Sequence, residues 1–169
     1  MRRLTIVAAL LITLSPLVHG GAPQAGSALP SQLRQLFPAA ASFSGKQGEP
    51  PHFLARDGRS ATTGYAFWTT ELEPLERGYD GPIKILVGLD PRGVITGVIV
   101  AQHNEPYGDF SIDRPAFAAQ FSGKSIRDPF RVGGDVHAVS RATMTVTSAT
   151  RAIRNSSRRI ARQLLTPPK

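Results

Sequence analysis

Two apolar runs, 83–89 and 94–102, stand on either side of Asp90-Pro91-Arg92-Gly93. Pro at the second place of a four-residue turn presets the backbone, and Gly at the fourth tolerates the geometry that follows. The runs therefore read as an antiparallel hairpin, which commits the chain to a sheet. In the second run Val94, Thr96, Val98 and Val100 fall on one face and Ile95, Gly97, Ile99 and Ala101 on the other. Both faces are largely apolar, which predicts a central strand covered on both sides.

Other segments extend this β-rich middle. Residues 62–69 are rich in Thr and aromatic residues, as strands prefer, and 52–56 predicts a shorter strand closed by a turn at Asp57-Gly58. Residues 131–139 read as extended. Three helices frame them. The first starts at Leu29 with Pro30 in its first turn, presents Leu33, Leu36 and Phe37 on one face, and closes at Pro38. The second covers 113–121 with Asp113 as N-cap, Pro115 in the first turn and Gly123 beyond the end. The third runs over 145–165, where Val146, Ala149, Ile153, Ile160 and Leu164 recur at helical spacing and five arginines occupy the remaining faces. Helices together with a mainly antiparallel sheet predict an α+β fold with no internal repeat.

At 169 residues, with 41% hydrophobic and 19% charged residues, the chain has the composition of one folded domain. It contains no cysteine, which excludes disulfides, iron–sulfur ligation and thiolate chemistry. Charge is unevenly placed. Residues 1–123 balance ten basic against ten acidic groups, whereas 124–169 carry ten basic and two acidic, the whole of the formal +8. Such a tail suits an anionic lipid, an acidic partner or a phosphate. At the N-terminus Arg2 and Arg3 precede an apolar run over 4–18 that Pro16 interrupts, and Val18-His19-Gly20 offers compact residues for signal cleavage. Residues 1–20 therefore predict a signal peptide, with an uncleaved anchor as the alternative. Residues 21–36 are a linker and short helix, and 37–169 the domain. Export makes nucleic acid an unsuitable partner for the basic tail.

Four places carry candidate chemistry. Ser140, Thr143 and Thr145 lie between a strand end and a helix start, where free N–H groups and the helix dipole favour a phosphate. The same hydroxyls also suit ordinary capping. His103 and Glu105 end the 94–102 strand, either as ligand contacts or as a locally paired strand end. Tyr65, Phe67 and Trp68 can stack on a planar ring or fill the core. The arginines of the last helix present a solvated basic face or a docking surface. Neither a metal-ligand spacing nor a nucleophilic triad is present, and no catalytic residue is assigned.

The segment Ser140-Arg141-Ala142-Thr143 resembles the flavin-attachment motif of the FMN-binding domain family, which includes the periplasmic domain of NosR-type proteins and the covalent-FMN subunits of Rnf and Na⁺-translocating quinone reductase complexes. Further stretches follow that family's order: Gly64-Tyr65-Ala66-Phe67, Gly78-Tyr79-Asp80-Gly81-Pro82-Ile83, Leu86-Val87-Gly88-Leu89-Asp90, Gly93-Val94-Ile95-Thr96-Gly97 and His103-Asn104-Glu105-Pro106. The resemblance covers about residues 37–165. Two positions depart from it: His137 stands where the family has Asp, and Arg141 where it has Gly. Asp135 lies two residues before His137 and is a candidate replacement.

What the resemblance implies is FMN joined through its phosphate to Thr143, with Ser140, Arg141, Ala142, Thr145, His103 and Glu105 around it. The function implied is electron transfer outside the cytoplasm rather than stand-alone catalysis. A flavin transferase would mature the protein. A membrane or periplasmic redox protein would exchange electrons with it, and the arginine-rich helix would meet the membrane surface. Two alternatives stay open: FMN held without a covalent bond, and a flavin-free accessory protein of the same fold that binds a partner through its arginine helix.

Overall fold

A computed structural model describes residues 28–165. The signal-peptide reading of 1–20 therefore lies outside the described residues, as do residues 166–169. The chain runs α1 (Ala28–Leu36), β1 (Ser42–Phe43), β2 (Phe53–Arg56), β3 (Thr62–Trp68), α2 (Thr69–Leu72), β4 (Lys84–Leu89), β5 (Ile95–Gln102), α3 (Pro115–Ala119) and α4 (Thr143–Ile160), ending in a π-helical turn, Ala161–Leu165. The five strands form one antiparallel meander in chain order. This is the α+β architecture expected from the sequence.

Side chains alternate across the sheet and divide the interior into two layers. Tyr65 and Phe67 of β3 and Ile85, Val87 and Leu89 of β4 face one side, where α4 closes the core with Val146, Ala149, Ile153 and Ile160. Ala66, Trp68 and Leu86 face the other side against Leu33 and Leu36 of α1 and Phe37 just beyond it. Burying each of these larger side chains contributes roughly 1.5–3 kcal/mol. Gly64 and Gly88 make room for Phe37, because a Cβ at either would press on its ring. Tyr65, Phe67 and Trp68 are thus core residues, and Lys84 Nζ lies 4.6 Å from the centre of the Trp68 ring.

The hairpin forms as read. Asp90 holds its turn by accepting N–H bonds from Arg92 (2.9 Å) and Val94 (2.8 Å). Burial alone would raise the Asp90 pKa, but these N–H donors and the Arg92 guanidinium outweigh it and hold the carboxyl below its ordinary value.

Four expectations are corrected. β5 is an edge strand rather than a central one, and β4, paired on both sides, is the strand buried on both faces. The apolar faces of β5 reflect cover from α1 on one side and α3 on the other, not a further strand. A bulge opposite Gly88/Leu89 skips Thr96 in the register, so Ile95 joins Val98 and Val100 in the α4-side core. Asp113 does not cap α3, which has Arg114 at its N-cap and spans only Pro115–Ala119; the Asp113 carboxylate binds His103 instead. Residues 131–139 form a looped segment, not a strand. It folds around Asp135, which accepts from the N–H groups of Phe130 and Arg131 and from Lys124 Nζ (3.0 Å). Burial would raise the Asp135 pKa, but these three donors prevail and lower it to about 2.

Candidate functional site

α4 begins at Thr143 without a side-chain cap. Its N-cap residue is Ala142, buried, and the residue before it, Arg141, takes φ 67°. That is the left-handed region, which costs a residue with a Cβ about 1 kcal/mol. Arg141 therefore takes a backbone conformation that glycine adopts at no steric cost. Thr143 is exposed, and its Oγ1 has a single long bond to the Val139 carbonyl (3.4 Å). The helix start thus offers unsatisfied N–H groups, the positive end of an 18-residue helix and an accessible hydroxyl.

Glu105 builds the floor of this site. Its buried carboxylate accepts the N–H groups of Tyr79 (3.0 Å) and Asp80 (2.9 Å) and the hydroxyl of Thr145 on α4. One side chain thereby ties the loop after β5, the Gly78-Tyr79-Asp80 turn and the first turn of α4 into a single body. Gly78 must lack a side chain, since a Cβ there would strike the Glu105 carboxylate. Glu105 is itself oriented by His103, whose Nδ1 accepts the Glu105 N–H (3.0 Å) while Nε2 faces Asp113 Oδ1 at 2.8 Å. With Nδ1 accepting, Nε2 carries the proton and donates it to Asp113.

Around this floor stand four exposed apolar or aromatic side chains. Tyr79 is 71% exposed, Met144 60%, Tyr107 44% and Phe110 36%. Tyr107 and Phe110 lie with ring centres 5.3 Å apart. Tyr79, Tyr107 and Met144 all belong to the segments that Glu105 joins. Exposed aromatic groups at an anion-accepting helix start suit a planar ring carrying a phosphate.

All seven residues singled out in the sequence lie at this end: Ser140, Arg141, Ala142, Thr143 and Thr145 in the turn and helix start, Glu105 bonded to Thr145, and His103 bonded to Glu105. Sequence reasoning missed Asp113 as the partner of His103 and the rim of Tyr79, Tyr107, Phe110 and Met144. The Asp135 carboxylate, the candidate replacement for the family's Asp, is engaged by the N–H groups of Phe130 and Arg131 and by Lys124. His137 is exposed, and its N–H donates to Gln120 Oε1 (2.8 Å).

Residues 78–157 match the sequence profile of the FMN-binding domain, from the Gly78 turn to within three residues of the end of α4. Over these residues, just under half of the chain, it carries an FMN-binding domain. That span contains Glu105, the turn it binds and residues 140–145. Among curated relatives, NosR of Pseudomonas aeruginosa, a regulatory protein, is 31% identical over 125 residues, 68% of this chain and 17% of NosR. A subunit of the ion-translocating oxidoreductase complex of Haemophilus influenzae is 42% identical over 57 residues, 34% of this chain and 25% of its own length. The matched part of this chain therefore spans a quarter or less of these relatives. The crystal structure of Shewanella oneidensis NqrC aligns at 22% identity with a TM-score of 0.45, covering 70% of this chain and 65% of that one.

The arginines of α4 are largely engaged within the chain. Arg151 donates to Glu76 (2.7 Å), Arg159 to the Leu72 carbonyl that ends α2 (2.8 Å), and Arg158 to the carbonyls of Ile126 and Asp128 (2.8 Å each). These three fasten the helix to its neighbours, a role additional to the solvated face or docking surface read from the sequence. No described helix is long and apolar enough to cross a membrane, and no described cluster of His, Asp or Glu could hold a metal ion.

Proposed function

We propose that this protein is an extracytoplasmic electron carrier whose FMN is joined through its phosphate to Thr143. The observation that carries this reading is the Glu105 assembly, which fixes the start of α4 while leaving Thr143 exposed and the first N–H groups of the helix uncapped. The residues present fit the group. The helix start would hold the phosphate with the exposed Arg141 beside it, and Tyr79, Tyr107, Phe110 and Met144 would border the ring. Bound FMN would supply reversible electron transfer, and the protein sets its position and exposure. Glu105 acts as a positioning residue beneath the site, and His103 with Asp113 orients Glu105. A membrane or periplasmic redox protein gives and takes the electrons. A flavin transferase installs the cofactor.

One observation favours the flavin-free accessory reading. With the Asp135 carboxylate engaged by Phe130, Arg131 and Lys124 and His137 exposed, no carboxylate stands in the run 136–142 ahead of the proposed attachment hydroxyl. The two readings separate in one experiment. The protein is exported from a host with an active flavin transferase, denatured and freed of small molecules. Yellow, fluorescent denatured protein supports the carrier, and a colourless product beside a labelled control substrate rejects covalent attachment.

A further inference from the structure

The far end of α4 carries a second constellation that the flavin reading does not use. A cleft of about 330 Å³ opens between the β4–β5 turn, residues 126–127 and the end of α4. Arg92, Arg127, Arg158 and Arg162 line it, with Ile126 and Ala161 among its apolar walls, and no Asp or Glu does. Glu73 borders a separate recess shared with Arg158 and Arg162.

The four guanidiniums differ in what the fold asks of them. Arg92 is paired with Asp90 at 2.8 Å, and that carboxylate is already shared with two turn N–H groups. Arg158 is held by two carbonyls through Nε and Nη2, so it presents a fixed group to the cleft. The side chains of Arg127 and Arg162 make no hydrogen bond or ion pair among the described residues. Four like charges from three chain segments around one small volume repel each other, and folding requires only two of them. An anion would offset that repulsion. A tetrahedral phosphate offers several oxygens to separate guanidinium forks, whereas a lone carboxylate offers one edge. Nineteen residues of helix separate Arg162 from Thr143, about 28 Å at the α-helical rise, so this cleft is not where a phosphate on Thr143 would sit.

We propose that this cleft binds a phosphate ester, supplied by a soluble phosphorylated molecule or by the headgroup of an anionic phospholipid. The test compares the full mature chain with the double variant Arg127→Ala/Arg162→Ala, neither of whose removed side chains the fold employs. Glycerol phosphate and inorganic phosphate are titrated by calorimetry. Phosphatidylcholine vesicles with and without phosphatidylglycerol are tested by co-sedimentation. Loss of two charge-assisted contacts predicts binding about a hundredfold weaker in the double variant, with its melting temperature no lower than the parent's, since removing two like charges relieves their repulsion. Binding by Thr143→Ala is expected to match the parent, which separates this site from the flavin's. Response to the soluble esters identifies a small-molecule site, and response to phosphatidylglycerol vesicles alone identifies a lipid headgroup. The proposal is overturned if neither source binds, or if both chains bind equally. It is also overturned if polyglutamate binds in an Arg127/Arg162-dependent way while neither phosphate source does, which would make the cleft a protein-docking site.

Discussion

At its N-terminal end α4 leaves Thr143 and Met144 exposed and its first N–H groups uncapped, while along its C-terminal half Arg158 and Arg159 reach out to carbonyls of neighbouring segments and hold it down. The same helix is therefore fixed at one end by its own side chains and at the other by a carboxylate from elsewhere in the chain. That difference separates two tasks. The arginine end stabilises the packing of α4 on the sheet. The Glu105 end stabilises it from beneath, which leaves the exposed hydroxyl and the helix dipole available for a ligand.

The comparison breaks most sharply at Glu105. Glu105→Ala strands the N–H groups of Tyr79 and Asp80 and the hydroxyl of Thr145, at an expected cost of about 3–5 kcal/mol in denaturant unfolding. Flavin incorporation should fall with it. Glu105→Gln keeps one acceptor oxygen and should recover part of both, which a purely space-filling role would not require. At the other end, Arg159→Ala removes one charge-assisted bond to the Leu72 carbonyl and should cost about 1.5 kcal/mol with flavin incorporation unchanged. Equal loss of flavin in both variants would erase the distinction between the ends.

Acid sharpens the picture between these ends, in the 130–136 loop. The Asp135 carboxyl is lowered to about 2 from an ordinary 3.8, so its stabilisation is complete above 3.8 and is lost as pH falls through about 2. The stability difference between the parent and Asp135→Asn should be full at neutral pH and close over that window. A difference unchanged down to pH 2 would contradict the three-donor arrangement. The smallest effect is expected at the turn into α4. Arg141→Gly relieves the left-handed strain but frees the unfolded chain, so a gain of at most about 1 kcal/mol is expected by thermal melting.

Much of the fold was legible because its signals are local. The 90–93 turn, the aromatic and Thr-rich β3 and the apolar stripe of α4 each follow from residues a few places apart. The start of α4 behind the hydroxyls of Ser140, Thr143 and Thr145 was legible too. What failed depended on partners distant in the chain. Apolar faces on β5 cannot reveal whether the cover is a strand or a helix, so an edge strand read as central. Asp113 stands before Pro115 as an N-cap should, yet a histidine ten residues earlier takes its carboxylate. Asp135 draws 131–139, read as extended, into a loop. The short helix α2 was hidden because Thr69 reads as the end of β3, while its hydroxyl in fact bonds the backbone of Ile83 and Ile85. The central role of Glu105 could not be seen at all, since the Tyr79 turn and Thr145 lie 26 and 40 residues away from it.

The intact mass of the mature protein tests the central claim most directly, after export from a host with a flavin transferase proven on a control substrate. The account predicts one FMN added to the parent and none to Thr143→Ala, with Thr145→Val still modified. An unmodified parent, or an FMN that persists in Thr143→Ala, would contradict it.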